Sequence, residues 1–283
     1  MTKIKVLGTL SIALGLLICS VSLAREGMIK VDAVPAYQPK HFPFAGGEKE
    51  IYHATWNGMV SVATAEIHTI PEVIDGKEVF NVRVKARTSK VLDLIWKMRD
   101  TISSTFDAKA LSPSRFTFQQ RENSRVIDTD ARFDRANKRW EINRRQEGKP
   151  PRVYHFNTSN TLDPITAVYL ARATEFKVGD KLYFKVFGGR HQYLLELFVE
   201  KREPVALASG KTVEAYRIVP RIQNITKKGY ANRLNEAVIW ISADERRLPV
   251  KLSSKIAFGT VHLELANYKE PTQSAAQSQG PAS

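Results

Sequence analysis

Two aspartates on one predicted strand are the first candidates for chemistry in this sequence. Asp128 and Asp130 are separated by one residue, so a strand would place both carboxylates on the same face, about 7 Å apart. Such a pair could supply acid and base catalysis, or it could bind a cation. Several arginines surround the pair, which favours the alternative that both are solvated acids.

The six histidines are scattered, and no two of them stand at metal-ligand spacing. Motifs typical of serine hydrolases, zinc proteases, phosphate-binding loops and dinucleotide-binding folds do not occur in the sequence. A strand histidine is more often exposed or hydrogen-bonded within the protein than a ligand or a base. The sequence therefore indicates no catalytic residue, no metal site and no cofactor, and it favours a non-enzymatic protein.

Arginine clusters are more informative, because the planar guanidinium group suits phosphate and carboxylate recognition. The segment from Arg121 to Arg152 contains ten basic and six acidic residues. The segment from Arg217 to Arg233 contains five basic residues and no acid. Either cluster could form a positive rim that attracts an anionic headgroup or a membrane surface. The alternative is a solvated strand face of alternating charge, which explains many of these residues.

An apolar segment, Ser89–Met98, is the other candidate surface, and Lys90, Lys97 and Arg99 border its apolar residues. On a loop, the segment would be an apolar lip with basic edges, suited to a lipid chain and its headgroup. On a central strand or a packed helix it would be core, and this alternative is favoured. The residues proposed for ligand binding from all these features are Trp56, Leu92, Ile95, Trp96, Arg99, Arg121, Arg132, Arg144, Arg145 and Arg172.

Most elements that would position these residues are predicted to be β-strands. Val79–Ala86, Tyr193–Glu200 and Lys251–Phe258 alternate between two faces with a period of two. Asp75-Gly76 and Ser209-Gly210 are typical turn sequences between such strands. The pattern indicates an antiparallel protein with short connections.

One helix is clearly indicated over residues 163–172. Asp163 is a suitable N-cap, and Pro164 fits the first helical position. Apolar residues then follow at helical spacing as far as Arg172. We expect this stripe to pack into the core.

The sequence also repeats part of its own pattern. Gly47-Glu48-Lys49 and Gly179-Asp180-Lys181 each open a strand, and two further pairs of turns follow in the same order, with offsets of 132, 134 and 136 residues. This favours two related half-units, about 47–158 and 178–269, joined by the predicted helix. The alternative is that Gly-Lys turns recur in any β-protein, and both explanations remain open.

The predicted fold is mainly β, with two curved antiparallel sheets, half-barrel or sandwich-like, and one or two short helices. Residues 47–269 would form a single β-rich domain. Two such sheets can bury their apolar faces against each other. A gap between them would be a cleft lined by aliphatic and aromatic side chains, which is the usual form of a ligand site.

Both ends of the chain differ from this domain. Lys3 and Lys5 precede an apolar stretch that ends at Ala24, which predicts a signal peptide over residues 1–24. An uncleaved membrane anchor is the alternative. Residues 25–46 are predicted to be an extended leader, and residues 270–283 a disordered tail.

Export changes how the charge of the chain is interpreted. The 283 residues include 43 Lys and Arg against 29 Asp and Glu, which gives a formal net charge of +14. Such an excess attracts polyanions, but nucleic acid is not expected in a bacterial periplasm. The expected partners are anionic lipid, lipopolysaccharide, acidic glycan or another envelope protein, and the protein could associate with the outer membrane.

An ordered set of motifs resembles one known family. It comprises the Gly47-Glu48-Lys49 opening with Tyr52, Trp56 and Gly58, the helix from Leu162-Asp163-Pro164 to Arg172, Gly179-Asp180, and the segment from Trp240 to Pro249. Over residues 45–269 this set is similar to the exported bacterial domain-of-unknown-function family 3108 (DUF3108). The resemblance implies an exported, β-rich envelope protein, and it implies no reaction, cofactor or catalytic residue.

Three functional hypotheses follow from the sequence. The leading one is a periplasmic, non-enzymatic protein that binds or carries an amphiphilic or polyanionic envelope component. The second is an enzyme acting on envelope polysaccharide through a carboxylate pair. The third is a scaffold or assembly factor that binds another envelope protein through strand edges or Ser89–Met98.

Overall fold

The computed structural model describes residues 28–30, 33–39, 41–157, 160–189, 191–226, 231–233, 237–256 and 259–271. The predicted signal peptide and nearly all of the predicted tail lie outside these residues. In the described part of the chain there are sixteen strands and two helices. The strands are β1 Lys49–Trp56, β2 Val60–Ile74, β3 Lys77–Thr88, β4 Arg99–Asp107, β5 Pro113–Glu122, β6 Arg125–Asp134, β7 Arg139–Gln146, β8 Arg152–Asn157, β9 Thr161–Leu162, β10 Lys181–Gly188, β11 His191–Ala206, β12 Thr212–Asn224, β13 Ala231–Arg233, β14 Val238–Ser242, β15 Pro249–Ile256 and β16 Gly259–Lys269; the helices are α1 Lys90–Asp93 and α2 Pro164–Ala173.

All of these strands belong to one continuous sheet, so the prediction of two sheets is not confirmed. The order is β8-β7-β6-β5-β4-β3-β2-β1-β16-β15-β14-β12-β11-β10-β9, with β13 paired beside β12. Two antiparallel meanders meet where β1 pairs with β16, from Lys49 opposite Lys269 to Trp56 opposite Val261. Backbone pairing across this junction leaves no gap between the halves, which is why a single sheet results.

The sheet curls until its two ends meet around a shared core. Strands β7 and β10 stand near opposite ends of the strand order, yet the ring centroids of Trp140 and Phe187 are 4.7 Å apart. The indole Nε1 of Trp140 also donates to the carbonyl of Thr161, at the start of the edge strand β9. The protein is therefore an incomplete β-barrel whose interior is filled by side chains.

Period-two alternation explains which face of each strand is inside. On β3, Val82 and Val84 are buried, whereas Arg83 and Lys85 are exposed. Burial of one apolar face per strand is the dominant favourable contribution to folding. The alternation predicted for Val79–Ala86 is confirmed.

Two hairpins share one hydrogen-bond pattern, as the proposed sequence repeat would require. The amide of Gly47 donates to the carbonyl of Thr69, and the amide of Thr69 donates to Glu48. In the second half, Gly179 donates to Val199, and Val199 donates to Asp180. Duplication of a half-unit nevertheless remains a prediction.

The leader contributes to the core through its apolar side chains. Phe44 is buried against the ring of Tyr169, with centroids 4.8 Å apart. The hydroxyl of Tyr37 accepts a hydrogen bond from the amide of Tyr183 on β10. The leader thus packs against one end of the barrel.

Candidate functional site

Helix α2 lies inside the curved sheet, and nine of its ten residues are buried. The prediction of a helix at residues 163–172 is confirmed, as is its position in the core. The exception is Val168, which is half-buried. A short helix surrounded by strands offers side chains to the barrel interior from every face.

The N-terminus of α2 is tied to the sheet through its cap. One carboxylate oxygen of Asp163 accepts the amides of Ile165 and Thr166, at 2.9 and 3.0 Å. The other oxygen accepts the hydroxyls of Thr166 and of Ser104 on β4. Burial raises the pKa of Asp163 against the opposing effect of these hydrogen bonds. The cap therefore fixes the position of the helix as well as starting it.

A cavity of about 130 Å³ remains between α2 and the inner face of the sheet. Its walls are mainly aliphatic, and they come from both halves of the chain. The residues that line it include Glu50, Val168, Arg172, Ile239, Lys251 and Leu252.

A buried ion cluster closes one side of this cavity. The guanidinium of Arg172 lies 3.2 Å from Glu48 and 3.4 Å from Glu50, and all three side chains are almost inaccessible to solvent. It also donates to the carbonyls of Pro43 and Arg246. Desolvation opposes charge on Arg172, but the carboxylates of Glu50 and Glu48 outweigh it and raise its pKa. The cation is therefore permanent.

Tyrosine hydroxyls complete the cluster. Tyr52 donates to Glu50 at 2.6 Å, and Tyr268 donates to Glu48 at 2.8 Å. Burial raises the pKa of Glu50, although Arg172 and Tyr52 act in the opposite direction. Buried carboxylates require such partners, because an unpaired buried charge is strongly destabilising.

One polar atom of the cluster lacks a partner among the described residues, namely Nε of Arg172. The flat guanidinium also lies close to two aromatic rings, 5.2 Å from the centroid of Phe44 and 5.3 Å from that of Tyr169. These contacts hold the cation in place. The Arg172 cluster, which borders the cavity, therefore retains one unused hydrogen-bond donor.

Strands β14 and β15 form one side of the cavity wall, and β14 is the shortest strand that lines the cavity. Strand β14 has five residues and pairs over only four positions with each neighbour, with an irregularity between Trp240 and Ile241. Half-buried Lys251 lies on β15 and pairs with Glu264 at 2.6 Å. Among the strands that line the cavity, β14 pairs with its neighbours over the fewest positions, which makes this side of the wall suitable for local opening.

The carboxylate pair proposed for catalysis lies on the outer face of the sheet. Asp128 pairs with Arg121 at 2.7 Å, and Asp130 pairs with Arg115 and Arg132. Strand alternation puts both aspartates on the face opposite the buried Ile127 and Thr129, and neither of them lines the cavity. The pair therefore lies away from this cavity, and an enzymatic role for it stays a prediction.

Most arginines proposed for ligand binding also lie away from the cavity. Arg121 and Arg132 form the outer-face ion pairs just described, and Arg145 is exposed. Arg144 is half-buried, with a long contact of 3.4 Å to the hydroxyl of Thr129. Among the proposed arginines, Arg172 alone lines the cavity. A ligand-binding role for the other five, Arg99 included, stays a prediction.

The second basic cluster is only partly described. Arg217 pairs with Glu200, and Arg221 donates to Glu196 at 2.9 Å. Lys227 and Lys228 lie outside the described residues. The two arginines of the cluster whose side chains are described are thus paired with acids of the neighbouring strand β11.

Ser89–Met98 turns out to be both core and surface. Trp96 and Met98 are buried and Leu92 is half-buried, whereas Ile95 is 69% exposed. Arg99 follows the segment and pairs with Asp93. Trp56, at the end of β1, is 39% exposed. The segment therefore contains buried core residues and exposed apolar residues, and its engagement of a lipid stays a prediction.

Sequence reasoning missed the two glutamates that hold Arg172. In the sequence, Glu48 and Glu50 stand at the same two-residue spacing as Tyr52 and Ala54. All four therefore share one face of β1, and the apolar members indicate that this face is internal. It also missed Asp100, which is buried on β4 and accepts the amide of Arg121. Burial raises the pKa of Asp100 to about 7.

The geometry defines a class of protein, an incomplete β-barrel with a central helix and an interior, largely apolar cavity. The chain belongs to the family described as protein of unknown function DUF3108, whose model matches residues 51–266. The predicted family is confirmed. No curated protein matches the sequence.

Two solved structures are similar to this chain at low identity. One is a β-barrel-like protein of domain of unknown function DUF1849 from Brucella abortus, with 10% identity and a TM-score of 0.49, covering 81% of this chain and 99% of that chain. Another is a candidate exported protein with a YmcC-like fold from Bacteroides fragilis, with 6% identity and a TM-score of 0.34, covering 82% and 100% of the two chains. At these levels neither structure indicates a function for this chain.

Among the described residues, no helix has the length and apolar character needed to cross a membrane. The same residues contain no group of three or more His, Cys, Asp or Glu side chains that could hold a metal ion.

Proposed function

We propose that this protein is a non-enzymatic binding protein or carrier for an amphiphilic component of the bacterial cell envelope. The observation that carries this proposal is the interior cavity, bounded by aliphatic side chains and by the Arg172 cluster. Concave, mostly apolar cavities with a few convergent polar groups are the usual form of small-molecule sites.

The size of the cavity restricts what it can hold. Buried apolar cavities of about 150 Å³ bind benzene-sized molecules in other proteins. The volume here, about 130 Å³, thus fits the end of an acyl chain or a single ring. A complete lipid requires that the rest of the molecule extend out of the barrel or that the barrel open.

The wall formed by β14 and β15 is the proposed entrance. Its short pairing permits local opening, and half-buried Lys251 places a cation beside it. The headgroup of an anionic amphiphile could replace the Glu264 carboxylate as the ion-pair partner of Lys251 while the apolar chain enters the cavity. The ligand class of this proposal is therefore an anionic lipid or lipopolysaccharide rather than a purely polar glycan.

The proposed compartment is the periplasm. Its support is the predicted signal peptide at residues 1–24 and the charge excess, which suits the anionic lipids of the envelope. Cleavage of that signal is part of the proposal.

Native mass spectrometry of mature protein purified from its own host tests the proposal. We expect an adduct of lipid mass that survives gentle desolvation. Val168→Phe should reduce the adduct at least about tenfold, because the added ring occupies the cavity and competes with the ligand.

Val213→Phe is the matched control. Val213 is also half-buried, but it packs against a separate apolar cluster and does not line the cavity. The control should keep the adduct, provided that both variants unfold at similar urea concentrations. Protein without any adduct, or equal loss in both variants, would overturn the proposal.

A further inference from the structure

Exposed apolar side chains gather at one end of the barrel. Met59 is 82% exposed and Leu94 is 88% exposed, values that are unusual for such residues. We call this group the apolar tip, and its members are Trp56, Met59, Val60, Val91, Leu94 and Ile95.

Strand register brings the two parts of the tip together. Thr88 pairs with Ala63, and the amide of Ser89 donates to the carbonyl of Val62 at 2.9 Å. Helix α1 therefore runs beside the start of β2, where the β1–β2 turn places Met59. A strand advances about 3.3 Å per residue, and only a few residues separate each segment from this pairing. The two segments are therefore neighbours at the same end of the sheet.

The tip is held by many contacts, so its exposure is built into the fold. Ser89 caps α1 by accepting the amide of Leu92. Asp93 accepts hydrogen bonds from Thr88 and Arg99, which lower its pKa to about 2. Beneath the tip, Leu92 and Trp96 pack into the same apolar cluster as Tyr52, a residue of the cavity wall.

The charges around the tip have one dominant sign. From Arg87 to Arg99 the chain carries four basic residues and one acid, Asp93, which is already paired with Arg99. Lys90 and Lys97 are exposed on either side of the apolar side chains. Apolar side chains bordered by cations are the pattern of proteins that bind at the interface of anionic membranes.

We propose that the apolar tip docks on the surface of an anionic phospholipid bilayer. Met59, Leu94 and Ile95 enter the boundary between headgroups and acyl chains, and Lys90 and Lys97 contact the phosphates. This inference goes beyond binding in the cavity, since docking does not require a ligand inside the barrel. It also gives the apolar cluster beneath the tip a position between the membrane and the cavity.

Vesicle co-sedimentation of the purified mature protein tests the inference. We expect binding to vesicles of mixed phosphatidylcholine and phosphatidylglycerol, weaker binding to phosphatidylcholine alone, and a further decrease with added salt. Combining Met59→Ser, Leu94→Ser and Ile95→Ser should weaken binding at least about tenfold, because apolar contact with the bilayer is lost. Combining Lys90→Ala and Lys97→Ala should remove most of the preference for the anionic vesicles.

The matched control replaces exposed apolar residues elsewhere on the molecule. Val73 and Ile74 are 71% and 44% exposed at the β2–β3 turn, which lies at the opposite end of β2. Combining Val73→Ser and Ile74→Ser should leave vesicle binding unchanged. Equal weakening by the tip and control variants would contradict the inference.

Two other outcomes would also overturn membrane docking. One is the absence of vesicle binding at any composition. The other is a concentration-dependent dimer that the tip variants abolish, which would assign the tip to a second copy of this chain. Failure here is distinguishable from failure of the cavity proposal, because tip variants should retain the lipid adduct and Val168→Phe should retain vesicle binding.

Discussion

On the outer face of the sheet, Arg115, Asp130 and Arg132 form ion pairs that remain partly in water. On the inner face, Arg172 sits between Glu48 and Glu50 with almost no contact with solvent. Both groups combine arginine with carboxylates at similar distances. Their environments differ, and so do the consequences of changing them.

Environment decides how much each ion pair matters. Exposed pairs gain little, because water screens the charges and the long side chains lose freedom. In the interior, removal of one partner leaves the others charged and desolvated, which is strongly destabilising. A cluster of arginines in a sequence therefore does not by itself mark a functional site. The candidate site lies where strand alternation places a charged side chain on the inner face of the sheet.

Replacing the central cation should have the largest effect. Arg172→Met leaves Glu48 and Glu50 buried without their counter-charge, and we expect a loss of about 3–5 kcal/mol in the free energy of unfolding. Arg132→Met on the outer face should cost less than about 1 kcal/mol. Urea unfolding followed by tryptophan fluorescence measures both. Similar losses in the two variants would contradict the contrast between the faces.

The cap of α2, Asp163, is a buried carboxyl group that is held by amides and hydroxyls instead of an arginine, and it provides a second comparison with the outer face. Asp163→Ala removes the acceptor of two amides and of the Ser104 and Thr166 hydroxyls, so we expect a loss of about 2–3 kcal/mol. Asp163→Asn retains one oxygen acceptor and should lose less. A circular dichroism melt distinguishes them, and identical melting temperatures for both variants would refute the proposed role of the cap.

The inner face also contains a group that titrates near neutral pH. Asp100 has its pKa raised to about 7 by burial, so the folded state binds a proton more tightly than the unfolded state. Its stabilising contribution is complete below the unfolded-state pKa of about 4 and is lost as the pH rises through about 7. Between about pH 5.5 and pH 8 this loss amounts to about 2 kcal/mol.

Asp100→Asn should therefore flatten the dependence of stability on pH. The difference between the two proteins isolates Asp100 from Glu50, whose raised pKa acts in the same direction in both. Urea midpoints measured across this pH range provide the test. A variant that loses as much stability on going to pH 8 as the wild type would show that Asp100 does not carry this effect.

The smallest effect is expected on the outer face. Asp128→Asn removes one exposed ion pair with Arg121, and the expected change in unfolding free energy is within about 0.5–1 kcal/mol. Added salt should reduce it further, because exposed charges are screened. A loss of several kcal/mol would mean that the outer-face array has a structural role comparable with the Arg172 cluster.

Local features of the fold could be predicted from sequence because neighbouring residues encode them. The alternation around Val82 and Val84 identified a strand and its inner face, and Asp163-Pro164 identified the start of α2. The pairing of β1 with β16 could not be predicted in this way, because it joins residues about 200 positions apart without a local signal. That pairing converts two expected sheets into one barrel.

The candidate site was harder to predict than the fold. Arg172 was included among the candidates, but Glu48 and Glu50 were not, since a glutamate on a strand usually indicates an exposed face. The arginines from Arg121 to Arg145 were more conspicuous than these two glutamates, because they are concentrated in one segment of the sequence. Alternation put several of them on the outer face, where a charge cluster is simply solvated.

A methyl NMR titration of the mature protein with octanoate tests the central claim most directly, namely that the interior cavity binds an apolar chain. We expect saturable chemical-shift changes at Val168, Ile239 and Leu252, which line the cavity, and none at Val213. Changes confined to Val153, which is 52% exposed, or no saturable changes at all would contradict it.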